Sequence, residues 1–238
     1  MLTSRAKTRI GKLVAKICAD GLKKVTLELG GNCPVLIFDD ADLNQAADAI
    51  SSLKWRHAGQ ACITANRIYV QRGVYEKFTQ LMVERSKSLK VGHGAEKGTT
   101  LGPLTTDRGV EKAVVHVEDA QKNGAKILTG GKKMDLNGGY FFEPTVISDA
   151  HEELLLAKEE QFAPILALFP FETEEEVVKK ANNTSVSRQK WLLQVSRKLT
   201  QEQMGLASYF FTKNVDRTWR LLENLEAGMI GMNTGQSL

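Results

Sequence analysis

The chain has 238 residues, 42% of them hydrophobic and 25% charged, the balance of an ordinary globular protein with room for one sizeable core. Its net charge of +4 comes from 32 basic and 28 acidic residues spread evenly, with no basic patch of the kind that grips nucleic acid. No apolar run reaches the roughly 18 residues that cross a bilayer, and the opening MLTSRAKTRIGK lacks the apolar centre of a secretory signal.

Ile10, Leu13, Val14 and Ile17 recur at i, i+3, i+4 and i+7, which predicts an amphipathic helix over residues 8–19. Val25, Leu27 and Leu29 alternate with polar residues and read as a strand halted by Gly30 and Gly31. Residues 34–38 form a short apolar strand, and Asp40 or Asp42 is placed to cap a helix running to about Lys54. A strand at 67–70 precedes a long helix carrying Phe78, Leu81, Met82 and Leu89. Further on come a helix at 110–123, strands at 125–129, 141–146 and 165–169, and a helix at 173–182. Residues 185–204 are basic, weakly amphipathic and free of Gly and Pro, and read as a surface helix inserted in a regular unit. A helix around 216–225 and a strand at 229–233 close the chain. Strands alternating with helices predict an α/β fold with a largely parallel sheet.

The cysteines are Cys18, Cys33 and Cys62, an odd number at wide spacing that suits neither a disulfide framework nor a zinc site. Free thiols in a reducing compartment are expected, two of them buried and inert. Cys62 ends the tetrapeptide GQAC, in which Gly59 permits unusual backbone angles and the small Ala61 leaves the thiol unobstructed. Such a thiol can be held as thiolate by nearby backbone N–H groups and attack a carbonyl carbon. By itself GQAC fits a buried structural thiol as well. Glu28, in LELGG at 27–31, stands near a strand's carboxyl end, where α/β sheets place their sites. By itself it fits a solvated strand-end residue equally.

Taken together, LELGG and a GQxC cysteine 34 positions after its glutamate resemble the signature pair of the aldehyde dehydrogenase superfamily. KEEQFAPIL at 158–166, FFEPTVI at 141–147, ANNT at 181–184 and GLASYFFT at 205–212 resemble further motifs of that family. The likeness runs from Thr8 to Gly235, apart from the insertion. WRHAGQACITAN, LELGGNCP and GTTLGPLTT resemble its succinate-semialdehyde branch, whose pattern F-R-N-x-G-Q-[TA]-C matches Arg56 six positions before Cys62.

The resemblance implies that Cys62 attacks a small-molecule aldehyde to give a thiohemiacetal, its oxyanion held in part by the Cys62 N–H. Loss of hydride to NAD or NADP then leaves a thioester, hydrolysed by a water that Glu28 activates as a general base of burial-tuned pKa. Glu160 is implied to bind the nicotinamide ribose hydroxyls, Phe162 to pack beside that ring and Gly30 to approach it closely. Arg56 is implied to grip the far carboxylate of a four-carbon semialdehyde. Residues 1–31 are implied to be a remnant of the NAD(P)-binding domain and 32–238 the catalytic domain, with the insertion at 185–204.

The chain departs from the family in several places. The amino-terminal half, with the asparagine that completes the oxyanion hole, has no counterpart here. Where the family opens its first helix with F-T-G-S-T-x-x-G, this chain has Ala6 and Lys7 at the Gly-Ser positions and keeps Gly11, which alters a phosphate-binding entry. The strand through which the family forms homo-oligomers lies beyond Leu238. Thr64 stands where some members carry a second, redox-sensitive cysteine, so no disulfide switch at the nucleophile is expected. Three readings remain open: an NAD(P)-dependent dehydrogenase, a catalytically silent truncated fragment, and a cofactor-free esterase. The compartment is intracellular, either cytosolic or mitochondrial.

Overall fold

A computed structural model describes residues 2–6, 8–183 and 205–235. The inserted stretch at 185–204 lies outside the described residues.

The chain begins with β1 (Leu2–Ala6), α1 (Thr8–Asp20) and β2 (Val25–Leu29), the two strands pairing in parallel as a small separate sheet. The main sheet follows. It is built from β3 (Pro34–Ile37), β4 (Arg67–Gln71), β5 (Lys126–Thr129), β8 (Thr145–Ser148), β9 (Ile165–Phe171), β10 (Gly205–Phe211) and β11 (Ala227–Met232). Their order is β11-β10-β3-β4-β9-β8-β5, parallel throughout except for β5, which pairs antiparallel with β8. The helices are α2 (Leu43–Trp55), α3 (Arg72–Lys87), α4 (Asp107–Lys122), the short α5 (Leu155–Lys158), α6 (Glu174–Asn182) and α7 (Val215–Asn224). A two-stranded hairpin, β6 (Lys133–Met134) with β7 (Phe141–Phe142), completes the fold.

Sequence explains most of this. The central strands are nearly continuous apolar runs because helices cover a parallel sheet on both faces, and Val35, Leu36, Ile37, Ile68, Val70, Ile165 and Leu166 are all buried. Asp42 caps α2, accepting from the N–H groups of Asn44 and Gln45. Asp40 instead joins distant segments, accepting from the Thr212 hydroxyl at 2.8 Å and pairing with Arg217 at 2.9 Å. Thr106, Thr173 and Asn214 cap α4, α6 and α7 in the same manner as Asp42.

Three expectations need correction, and two strands lie outside the predicted elements. The strand expected at 141–146 is two pieces, because Pro144 has no N–H to give a ladder. Leu89 lies beyond the end of α3. Strands β1 and β10 do not follow from their local patterns. The apolar stripe of α1 faces outward: Ile10, Leu13 and Ile17 are exposed, whereas Gly11 and Cys18 are buried. A Cβ on Gly11 would stand 2.5 Å from Leu29 Cδ2, so α1 packs here against the tip of a flexible β2 side chain.

Candidate active site

The candidate residues gather at the amino ends of three neighbouring strands. Gly30–Cys33 lead into β3, Cys62–Asn66 into β4 and Glu160–Pro164 into β9. The carboxyl end of β2 runs into the same place, since only four residues separate Leu29 from Pro34.

The thiol loop starts where α2 ends. Residues Arg56–Gly59 form a tight 3-10 turn in which His57 (φ 53°), Ala58 (φ 53°) and Gly59 (φ 72°) are successively left-handed. Left-handed geometry costs an L-residue about 1–2 kcal/mol, and histidine is among the side chains that tolerate it better. Side-chain hydrogen bonds hold the turn. Gln60 donates from both its backbone N–H and Nε2 to the His57 carbonyl, at 3.0 and 2.9 Å. Its Oε1 accepts from the Thr105 N–H and hydroxyl at 2.9 and 2.8 Å, which ties GQAC to the GPLTT segment. Gly59 has no substitute here, for a Cβ would overlap the Ala163 carbonyl, its carbon lying 2.9 Å away.

Cys62 itself is half-buried with a free thiol, whereas Cys18 and Cys33 are buried. Its peptide is fixed on both sides. The Cys33 thiol donates to the Cys62 carbonyl at 3.2 Å, and the Tyr209 hydroxyl donates to the Ile63 carbonyl at 3.0 Å. Thr64, in the position of the absent second cysteine, donates its hydroxyl to the Leu53 carbonyl at 2.8 Å. Burial pushes the Cys33 thiol up to about 12, so it stays protonated and serves as a donor.

The LELGG segment meets KEEQF directly. The Gly31 N–H donates to Glu160 Oε1 at 3.2 Å, and a Cβ on Gly30 would lie 2.5 Å from Glu160 Oε2. Lys112 of α4 donates to the Glu160 carbonyl. Asn32 donates to the carbonyls of Leu156 and Ala157, and its own carbonyl accepts from the buried Arg67 guanidinium at 2.9 Å. Phe162 is left-handed (φ 55°) with its ring 39% exposed, an uncommon display for a large aromatic side chain.

Thus Gly30, Glu160 and, through Cys33, Cys62 are linked by contact, with Phe162 alongside. Glu28 and Arg56 are exposed, and neither makes an ion pair among the described residues. The resemblance implies a buried Glu28, and the structure has its side chain exposed instead. Gly11 sits on α1 in contact with Leu29. Sequence reasoning passed over Lys54, Asn66 and Gln161, a buried polar cluster beneath the thiol loop. Lys54 was legible, because it continues the buried stripe Ala46, Ala47, Ile50, Leu53 of α2. Among the described residues no group of His, Cys, Asp or Glu is placed to hold a metal ion, and no helix is long and apolar enough to cross a membrane.

The fold is a mostly parallel α/β sheet with a half-buried cysteine at a strand's amino end, set near a glycine turn that bonds a carboxylate. Residues 1–238 match the aldehyde dehydrogenase family throughout, and the chain belongs to that family. It is 44% identical over 228 residues to succinate-semialdehyde dehydrogenase [NADP(+)] 1 of Schizosaccharomyces pombe, covering 96% of this chain and 42% of that protein. It is 43% identical over 234 residues to glutarate-semialdehyde dehydrogenase of Pseudomonas putida, covering 98% and 44% respectively. The solved succinate-semialdehyde dehydrogenase of Burkholderia pseudomallei superposes with a TM-score of 0.89 at 40% identity, over 99% of this chain and 45% of that one. The chain therefore spans less than half the length of these relatives.

Proposed function

We propose that this chain carries the nucleophile-bearing part of an NAD(P)-dependent aldehyde dehydrogenase acting on a short carboxylated aldehyde such as succinate semialdehyde. The observation that carries the reading is the fixed peptide around Cys62: its neighbours are anchored by Cys33, Tyr209, Thr64 and Gln60 while the thiol itself stays free. In this reading Cys62 Sγ bonds the aldehyde carbon, and the Cys62 N–H steadies the oxygen as it gains charge. Glu28, exposed at the end of β2, takes a proton from the water that later cleaves the thioester. Arg56, exposed and without an ion-pair partner among the described residues, meets the substrate's distal carboxylate.

The residues around Glu160 suit the nicotinamide end of a dinucleotide. A half-buried carboxylate accepts hydroxyls well, Gly30 beside it has no side chain to obstruct approach, and Phe162 offers a flat apolar face. Bound there, NAD(P)⁺ supplies the hydride acceptor. The name of the Schizosaccharomyces relative specifies NADP(+) and supports the cofactor class. Gly11 belongs to this reading through α1, whose face towards Leu29 of β2 it occupies. Residues 1–31 then form part of the dinucleotide-binding domain and 32–238 the catalytic domain, a division supported by the separate β1–β2 sheet. Free cysteines support an intracellular setting.

The test is NAD(P)H formation with succinate semialdehyde, run beside Cys62→Ser. Turnover that vanishes in the variant is expected. Absence of both dinucleotide binding and turnover in the two proteins favours the silent reading, and Cys62-dependent hydrolysis of p-nitrophenyl acetate alone favours the esterase.

A further inference from the structure

Lys54 is fully buried, and among the described residues it has no carboxylate partner. Its Nζ donates to Asn66 Oδ1 at 3.0 Å and Gln161 Oε1 at 3.1 Å, and Gln161 Nε2 donates to the Asn66 carbonyl at 3.2 Å. These three residues come from the end of α2, the entry to β4 and the turn before β9. Each neighbour leads to a different part of the site. The Asn66 and Arg67 N–H groups both donate to the Cys33 carbonyl at 3.2 Å, and the Cys33 thiol in turn holds the Cys62 carbonyl. Gln161 stands between Glu160, which accepts from Gly31, and the left-handed Phe162.

We propose that Lys54 is a positioning residue, whose buried amine ties the strand entry after Cys62 to the turn bearing Glu160 and Phe162 and so keeps thiol and cofactor side at one spacing. This rests on the reading given under Proposed function. The choice of residue argues for it. A methionine would fill the same space without the desolvation cost of an amine, but would leave two buried amide oxygens unpaired. Burial lowers the lysine to about 7. A neutral amine still donates two hydrogen bonds, the number needed here, so the tie survives loss of the charge.

The experiment is hydrogen–deuterium exchange on the whole chain, without substrate or cofactor, for wild type, Lys54→Met, Gln161→Met and the double variant. Each single variant is expected to speed exchange of the amides at 64–67 and at 159–165 together, about tenfold or more, while α4 and α6 keep wild-type rates. The double variant should fall short of the sum of the two singles, because both remove the Lys54–Gln161 bond, and it should exceed Lys54→Met by no more than loss of the Gln161 Nε2 bond to the Asn66 carbonyl accounts for. Exchange rising at only one of the two segments, or equally across the sheet, overturns the proposal. If Lys54→Met does not fold, Gln161→Met carries the test by the same criterion. In turnover assays Lys54→Met should raise the KM for the dinucleotide at least fivefold and lower kcat with it. A fall in kcat alone indicates lost active protein and counts against positioning. A wild-type chain that gives no turnover defeats the functional reading, and the exchange result then decides the role of Lys54 independently.

Discussion

Gly59→Ala puts a single methyl group where the thiol loop and the turn before β9 touch. The new Cβ would sit 2.9 Å from the Ala163 carbonyl carbon, with the oxygen nearer still, whereas ordinary carbon–oxygen contacts lie near ~3.3 Å. Both partners are backbone, so no rotamer change relieves the overlap, and one loop must retreat by on the order of 1 Å. Two costs combine: about 1–2 kcal/mol for an alanine at φ 72°, and about 1–3 kcal/mol for overpacking. The expected loss is about 2–5 kcal/mol, or roughly 4–20 °C in Tm for a chain of this size. Displacing the nucleophile by that distance should cost a further ~10²-fold in Cys62-dependent turnover per folded molecule. Thermal unfolding followed by circular dichroism, with p-nitrophenyl acetate hydrolysis on the folded fraction, measures both. A variant within about 0.5 kcal/mol of wild type and equally active would refute the argument that these two loops are in fixed contact.

Three further outcomes are expected. His57→Asn should be neutral or stabilising by a few tenths of a kcal/mol, while His57→Val should lose about 1–2 kcal/mol in urea unfolding, because a β-branched residue resists φ 53°. Burial, with Lys112 nearby, lowers His116 from 6.5 to about 4 against the opposing pull of Glu159, whose Oε2 lies 3.6 Å from Nε2, beyond hydrogen-bond reach. The unfolded chain thus binds the proton first, so this stability is present above pH 6.5 and drains away as pH falls towards 4, by up to about 3 kcal/mol. His116→Leu should flatten that limb of the stability curve measured from pH 7 to pH 4. Arg217 stacks on Phe38 at 4.3 Å and pairs with Asp40 and Glu174 at 2.9 and 3.2 Å, so Arg217→Gln should cost about 2 kcal/mol in unfolding. The Cys62 alkylation rate in iodoacetamide should stay as in wild type.

Short-range signals are the legible ones. Apolar runs mark β3, β4 and β9, Asp42 and Thr173 mark helix starts, and the GQAC and LELGG motifs lead to the residues that meet at the strand entries. What escapes depends on distant partners. LTSRA and GLASYFF carry small and polar residues that hide their alternation, and they become β1 and β10 by pairing with β2, β3 and β11. The apolar stripe of α1 is visible, but the face that meets β2 is a different one, carrying Gly11 against Leu29. The stripe of α2 marks Lys54 as buried, but nothing local announces that Asn66 and Gln161 wait to accept from it. The position of the site is also hidden. Glu28 follows the usual rule for its own strand, whereas Cys62 precedes β4, so the thiol lies at the amino rim of the main sheet and not at the carboxyl rim where such sites usually sit.

That division of the rims matters for how such a protein can change over time. The far rim is sewn shut by Asp40, Thr212, Arg217, Glu174 and Arg220, a mesh of charge and hydroxyl with no part in handling an aldehyde. Robustness and reactivity are therefore lodged a strand's length apart. Substitutions around the proposed site, at Arg56 and Phe162, can draw on a reserve held elsewhere, and the reserve can be enlarged without disturbing the thiol.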